Sequence, residues 1–267
     1  MLNFLTKLLH SGASYSSINT AKAALSSSII VKNEPNWINN KNVIKFMKGV
    51  FNSRPPVPKY TNTWDVDEVL SFIETKLCNT DISLKKLTLK TVMLIALTSG
   101  QRAQSIHEMD LNFCHKQEQK FIFEFNVPLK TSKPGNYNLP LSVIKNTNQN
   151  LCPYNSLCQY LELTKNLRKN SKVWIGYKKP HHSVSRQSIS RWLKCLLCMA
   201  GVDKKFTGHS TRHASTSKAS LAGLGLTAIL KTAHWRQSSN FFKFYKKDIV
   251  QQADYQQEFA EAVLRKK

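Results

Sequence analysis

Acidic residues are scarce in this chain of 267 residues, with 16 Asp and Glu against 39 Lys and Arg and a formal charge of +23. An excess of this size goes beyond what solubility favours and implies a polyanionic partner. Long apolar runs are also missing: none approaches the ~18 residues of a spanning helix. Because the basic residues are spread along the whole chain, nucleic acid is a better partner than an anionic membrane. The N-terminus has no long apolar stretch with a small-residue cleavage site, so an intracellular, reducing compartment is expected. Glycine and proline number only 9 each, which argues against low complexity and disorder. There is no glycine-rich phosphate loop. The 6 cysteines are scattered through a chain too long to need disulfide staples, and are read as free, mostly buried thiols.

What is present is helical patterning. Residues 2–9, 17–29 and 41–51 place apolar side chains at three- and four-residue intervals, predicting a small all-helical front unit at 1–52. Residues 53–63 follow as a linker, where Pro55, Pro56 and Pro58 forbid helix. A larger domain is expected over 64–267. Helices are predicted at 65–77, 84–98, 153–167, 185–200, 209–221, 227–233, 240–246 and 254–264, with the second of these buried on nearly all sides. Residues 121–125 alternate with period two and could pair with 136–141 across a basic tip that includes Lys130 and Lys133, and a short strand is expected near 173–175. The fold class is therefore mainly α with a small antiparallel β hairpin or sheet.

Four segments carry residue types suited to chemistry on a phosphate. Arg102 follows the buried helix and the Ser99-Gly100 turn, so its rigid fork of donors could be held at a cleft. Lys130 and Lys133 sit on the hairpin tip. His209 and Arg212 lie three apart at an expected helix start, where backbone amides already favour an anion. His234 and Trp235 precede Tyr245, which stands among Phe241, Phe242 and Phe244. Each has an ordinary alternative: a surface arginine, a capped helix start, an aromatic in the core.

The order of these residues resembles the tyrosine recombinase and phage integrase family. Residues from about 60 onward are similar to its catalytic domain. Residues 1 to about 52, with the stretch from Gly12 to Leu25, resemble a shortened core-binding domain that enters DNA. The proline-rich connector, Trp64, and Ala233, His234 and Trp235 ahead of the Phe and Tyr are similar to eukaryotic members carried by mobile elements, of the Crypton or DIRS type. The resemblance implies an enzyme that cuts and rejoins double-stranded DNA through a 3′-phosphotyrosine. Tyr245 would be the nucleophile, Arg102 and Arg212 the phosphate clamp, and His209 a general acid or base. Lys130, in preference to Lys133, would protonate the leaving 5′ oxygen. Trp235, in preference to His234, would donate to the phosphate.

Fixed donors that stabilise charge growing on the nonbridging oxygens need no metal, and the covalent intermediate needs no ATP. No cofactor is expected. The family's acidic residue three positions after the first arginine is Ser105 here, with Glu108 one helical turn further on. The resemblance also implies a homotetramer on paired DNA sites, with the segment from Asp254 onward docking on a neighbour, and a nuclear location.

Further DNA contacts are expected from Arg186, Arg191 and Lys194 on the polar side of helix 185–200, and from Lys41, Lys45 and Lys48 in the front unit. Two other classes fit parts of the sequence. A catalytically silent DNA-binding descendant of a recombinase would keep the basic surface. A zinc module could use Cys195 and Cys198 with His209 and His213, although the intervening gap is ten residues and both cysteines fall within an amphipathic helix. A metallopeptidase reading of the same two histidines fails because Ser210 stands where the general base should be.

Overall fold

A computed structural model describes residues 2–28, 37–57, 60–78, 82–130, 132, 135, 139–235 and 248–249. The chain divides into two compact units, Met1–Lys59 and Tyr60–Lys267.

The first unit holds three helices, α1 (Leu2–His10), α2 (Tyr15–Ser28) and α3 (Lys41–Ser53). The apolar positions of α3 recur at helical spacing, so Val43, Met47 and Val50 are buried. Met47 and Val50 form a small core with Leu5 and Ile18. Asn40 caps α3 through its side chain, which accepts from the Asn42 amide. At the other end the Arg54 guanidinium donates to the carbonyls of Leu9 and Ala13, both at 2.9 Å. This closes the α1–α2 turn onto α3 and satisfies carbonyls that the end of α1 leaves open. Lys41, Lys45 and Lys48 are exposed, and their spacing puts them on the side of α3 opposite its buried stripe.

The second unit is built around α5 (Leu84–Ser99), buried along most of its length. Around it lie α4 (Val66–Lys76), α7 (Pro153–Thr164), α8 (Arg186–Met199) and α9 (Ser210–Leu221). Helices α6 (Ala103–His107) and α10 (Leu226–Thr232) are short. Of the three lysines on α5, Lys85 and Lys86 are exposed, whereas Lys90 is fully buried and its ammonium donates to the Leu77 carbonyl at the end of α4 at 2.7 Å. Burial pushes the Lys90 amine down to about 8.

Two small sheets complete the unit. A parallel pair joins β1 (Asn62–Thr63) to β5 (Asp248–Ile249). An antiparallel sheet has the order β2-β3-β4, with β2 at Cys114–Lys116, β3 at Lys120–Phe123 and β4 at Leu141–Ile144. Phe121 and Phe123 of β3 and Leu141 and Val143 of β4 face the core.

The structure corrects three expectations. The strand returning to β3 is Leu141–Ile144 and not 136–141, paired so that Phe123 faces Leu141. A third strand, β2, flanks the hairpin. The cysteines are not mostly buried: Cys152 is buried, Cys114, Cys158 and Cys195 are half-buried, and Cys78 and Cys198 are exposed. Near residues 173–175 there are isolated bridges, Asp110 to Lys172 and Ile175 to Ser183. The helices expected at 240–246 and 254–264 lie outside the described residues. Among the described residues no helix is long and apolar enough to cross a membrane.

Candidate phosphate-binding site

Two other segments of the second unit, the turn after α5 and the turn after α10, close on one arginine. Arg212, on the first turns of α9, is 2 % exposed. Its Nη1 donates to the Gly100 carbonyl at 2.5 Å, and its guanidinium carbon lies 4.3 Å from the centre of the Trp235 ring. A guanidinium held by a backbone carbonyl on one side and an indole face on another has little freedom to turn.

Gly100 makes this possible through its own backbone. It ends α5 with φ 58, a left-handed conformation that glycine adopts without a Cβ penalty. The chain then reverses, and Arg102 occupies the N-cap position of α6, half-buried. Gln101, between them, donates its side-chain amide to the Thr232 carbonyl at 2.8 Å and ties this turn to the end of α10.

That end of α10 is itself a tight motif. His234 has φ 53. The His234 amide bonds the Lys231 carbonyl at 3.2 Å and the Trp235 amide bonds the Leu230 carbonyl at 2.8 Å, the paired bonds of a Schellman turn. The turn reverses the chain and lays Trp235, 9 % exposed, over Arg212. His234 faces another way: its ring donates to the Pro140 carbonyl. Burial, reinforced by the charges of Arg212 and Arg102, pushes the His234 imidazole down to about 4. The ring is therefore neutral at physiological pH, and Trp235 is the residue of the pair whose ring lies against Arg212.

His209 stands exposed immediately before α9. Its ring meets that of His213 edge-on at 5.3 Å, and His213 in turn meets Tyr60 at 6.2 Å. The start of α9 is clamped from below, since the Trp64 indole donates to the Ser210 hydroxyl at 2.9 Å and that hydroxyl donates to the Thr207 carbonyl at 2.7 Å. Gly208 allows a close approach to α8: a Cβ there would lie 2.6 Å from the Ser190 carbonyl oxygen.

Lys130 is exposed, but its segment is anchored. Leu129 beside it is buried, and the Lys130 amide donates to the Gln104 side chain of α6 at 3.3 Å. The site thus places the backbone of Lys130 on the helix that begins at Arg102. Lys133 and Tyr245 lie outside the described residues. Asp248 and Ile249, which follow Tyr245 by three and four positions, pair with β1 against α9, the helix carrying Arg212.

Glu108 does not substitute for the carboxylate absent at Ser105. It bonds His107 Nδ1 at 2.9 Å and Lys172 at 3.2 Å. Burial acts to raise its carboxyl, but these two partners outweigh it and hold Glu108 below the usual carboxylate range. Ser105 is buried. Arg186, Arg191 and Lys194 are exposed on α8, while Ile189, Trp192, Leu193, Leu196 and Leu197 fill its inner face. Cys195 and Cys198 remain within that helix, and among the described residues no group of three or more His, Cys, Asp or Glu side chains is placed to hold a metal ion.

Sequence reasoning missed Gln101, Gln104, Trp64 and Gly208 as supports of the site. Their partners lie far away in sequence, and only the glycine next to His209 and Arg212 offered a local signal.

A largely helical domain with a three-stranded antiparallel sheet and two arginines on adjoining turns is the arrangement of a tyrosine recombinase catalytic domain. Residues 62–251 match the phage integrase family, and the chain belongs to that family. Among solved structures, the Tn1549 transposon integrase in complex with transposon right-end DNA is similar with a TM-score of 0.61 at 14 % identity, covering 98 % of this chain and 82 % of that one. A lambda integrase dimer bound to a COC′ core site gives 0.57 at 14 % identity over 95 % and 80 % of the two chains. XerH site-specific recombinase bound to its difH substrate gives 0.53 at 12 % identity. This comparison covers 76 % of the present chain but only 53 % of XerH, so the chain spans about half the length of that recombinase. At these identities the likeness carries the fold. No curated protein sequence matches the chain.

Proposed function

We propose that the protein is a site-specific DNA recombinase that breaks and rejoins one strand of double-stranded DNA at a time through a 3′-phosphotyrosine. The observation that carries this reading is the fixed guanidinium of Arg212, set between the Gly100 carbonyl and Trp235 two residues from Arg102. Donors held this rigidly do not reorganise as charge grows on a phosphate, so they act more strongly on the transition state than on the ground state. In the proposed step the Tyr245 oxygen forms a bond to phosphorus and the bond to the 5′ oxygen breaks. The phenol proton passes to His209, and Lys130 gives a proton to the departing 5′ oxygen. Rejoining by a 5′ hydroxyl reverses these transfers, so neither ATP nor a metal ion takes part.

The basic surface supports double-stranded DNA as the partner. The solved relatives include a lambda integrase tetramer bound to a Holliday junction, and we extend tetrameric assembly on paired sites to this chain. Origin in a mobile element of the Crypton or DIRS type, and action in the nucleus, belong to the same proposal. A second reading, a silent DNA-binding descendant, is favoured by one observation: Ser105 stands where an acid would orient Arg102, and Glu108 is engaged by His107 and Lys172.

One experiment separates the two readings. The protein is incubated in EDTA with a nicked suicide DNA substrate and resolved on a denaturing gel. A recombinase gives a covalent adduct that Tyr245→Phe abolishes, whereas a silent binder shifts DNA without one. An adduct that survives Tyr245→Phe assigns the nucleophile elsewhere, with Tyr255 as the next candidate.

A further inference from the structure

The turn that ends α10 is built on a residue ill-suited to its backbone. At φ 53, His234 occupies the left-handed region in which a Cβ is unfavourable and glycine is the usual occupant. Its ring donates to the carbonyl of Pro140 and lies near enough to Arg212 and Arg102 to feel both charges. With Leu139, Pro140 and Leu141 it lines a cavity of about 340 Å³ beside the site. Pro140 immediately precedes β4, so it is the return end of the connection between β3 and β4 that carries Lys130. The outgoing end of that connection is held separately, by burial of Leu129 and by the bond from the Lys130 amide to Gln104.

We infer that His234 is a positioning residue whose ring fastens the return end of the Lys130 connection to the turn that lays Trp235 over Arg212. The lysine and the arginine clamp are thereby held as one unit. The left-handed backbone accounts for the placement: it directs one residue of the turn to Arg212 and its neighbour to Pro140, and an unfavourable side chain there is offset by the bond it makes. The neutral state of the ring fits this role, since a neutral imidazole still donates through one nitrogen and adds no third positive charge beside Arg102 and Arg212. The structural part of the inference stands on the turn and the bond, while its catalytic consequence rests on the recombinase reading.

The test is His234→Gly, which favours the backbone and deletes the ring. The melting temperature should hold or rise, because glycine relieves the turn. Hydrogen exchange over residues 139–141 should quicken about tenfold relative to wild type. Unchanged exchange there overturns the inference, whatever the protein does to DNA. On the suicide substrate, adduct formation should slow by roughly 10- to 100-fold, as expected for a displaced catalytic group. A substrate whose 5′ bridging oxygen is replaced by sulfur has a leaving group that departs without a proton, so it should restore the rate. Equal losses on both substrates would place the ring's effect on the arginine pair and overturn its link to Lys130. Wild-type protein that forms no adduct on either substrate removes the recombinase reading, and the exchange measurement then decides the inference alone.

Discussion

Arg102 and Arg212, the two arginines of the proposed phosphate clamp, belong to regions that fix them by different means. Arg212 sits on a helix whose neighbouring positions are small and buried, including Ser210, Thr211, Ala214, Thr216 and Ser217, and its head group is gripped by a carbonyl and an indole. Arg102 sits half-buried at the N-cap of a five-residue helix, held by the turn at Gly100 and the Gln101 bond to Thr232. One arginine is part of the interior and the other is presented by a tethered turn. Within a single site, rigidity can come from packing around the side chain or from control of the backbone beneath it.

The difference predicts unequal sensitivities. Arg212→Lys should be the most damaging, lowering single-turnover adduct formation by about a thousandfold or more, because an ammonium cannot bond Gly100 and a phosphate in the same fixed geometry. Arg102→Lys should cost about a hundredfold with DNA affinity little changed, read by parallel cleavage and gel-shift titrations. Equal losses in the two variants would break the comparison. Trp235→Phe keeps a ring face over Arg212 and should fall by about tenfold or less, whereas Trp235→Ala should fall further.

Stability separates the regions more finely. Gly100→Ala places a Cβ at φ 58 with neighbours at 3.4 Å, an ordinary contact distance, so the cost is the backbone alone. About 1–2 kcal/mol is expected, a fall in melting temperature of roughly 2–8 °C. The smallest effect concerns pH. Because the imidazole of folded His234 sits near 4, the unfolded chain takes up a proton first as the pH drops below about 6.5. Stability is therefore fully present above that pH and is lost progressively toward pH 4, by about 1 kcal/mol once solvent screening of this partly open site is allowed for. Melting curves of wild type and His234→Gly across this window should draw apart as the pH falls, with wild type losing the extra stability, and parallel curves would refute the assignment.

How much of this was legible in the sequence depends on distance along the chain. Helices α3, α5 and α8 announced themselves because the apolar positions that bury them are local and periodic. Strand β4 begins later than expected because the turn is read at 130–135 and the strand directly after it at 136–141, although Leu141 and Val143 carry the alternation that faces the core. Strand β2 has three residues and no apolar alternation; its existence depends on pairing with β3. The candidate chemical residues were picked out by type and order. Their supports were not, since the bond from Trp64 to Ser210 spans 146 positions and that from Gln101 to Thr232 spans 131.

The contact at Gly208 has a mechanical consequence. A methyl group would not fit between the start of α9 and the Ser190 carbonyl of α8, so these segments meet without slack. Arg191 is the next residue along α8, on its exposed side. A force applied to that surface is therefore delivered to the threshold of His209 and Arg212 through a joint with no play, as in a rocker arm bearing directly on its valve.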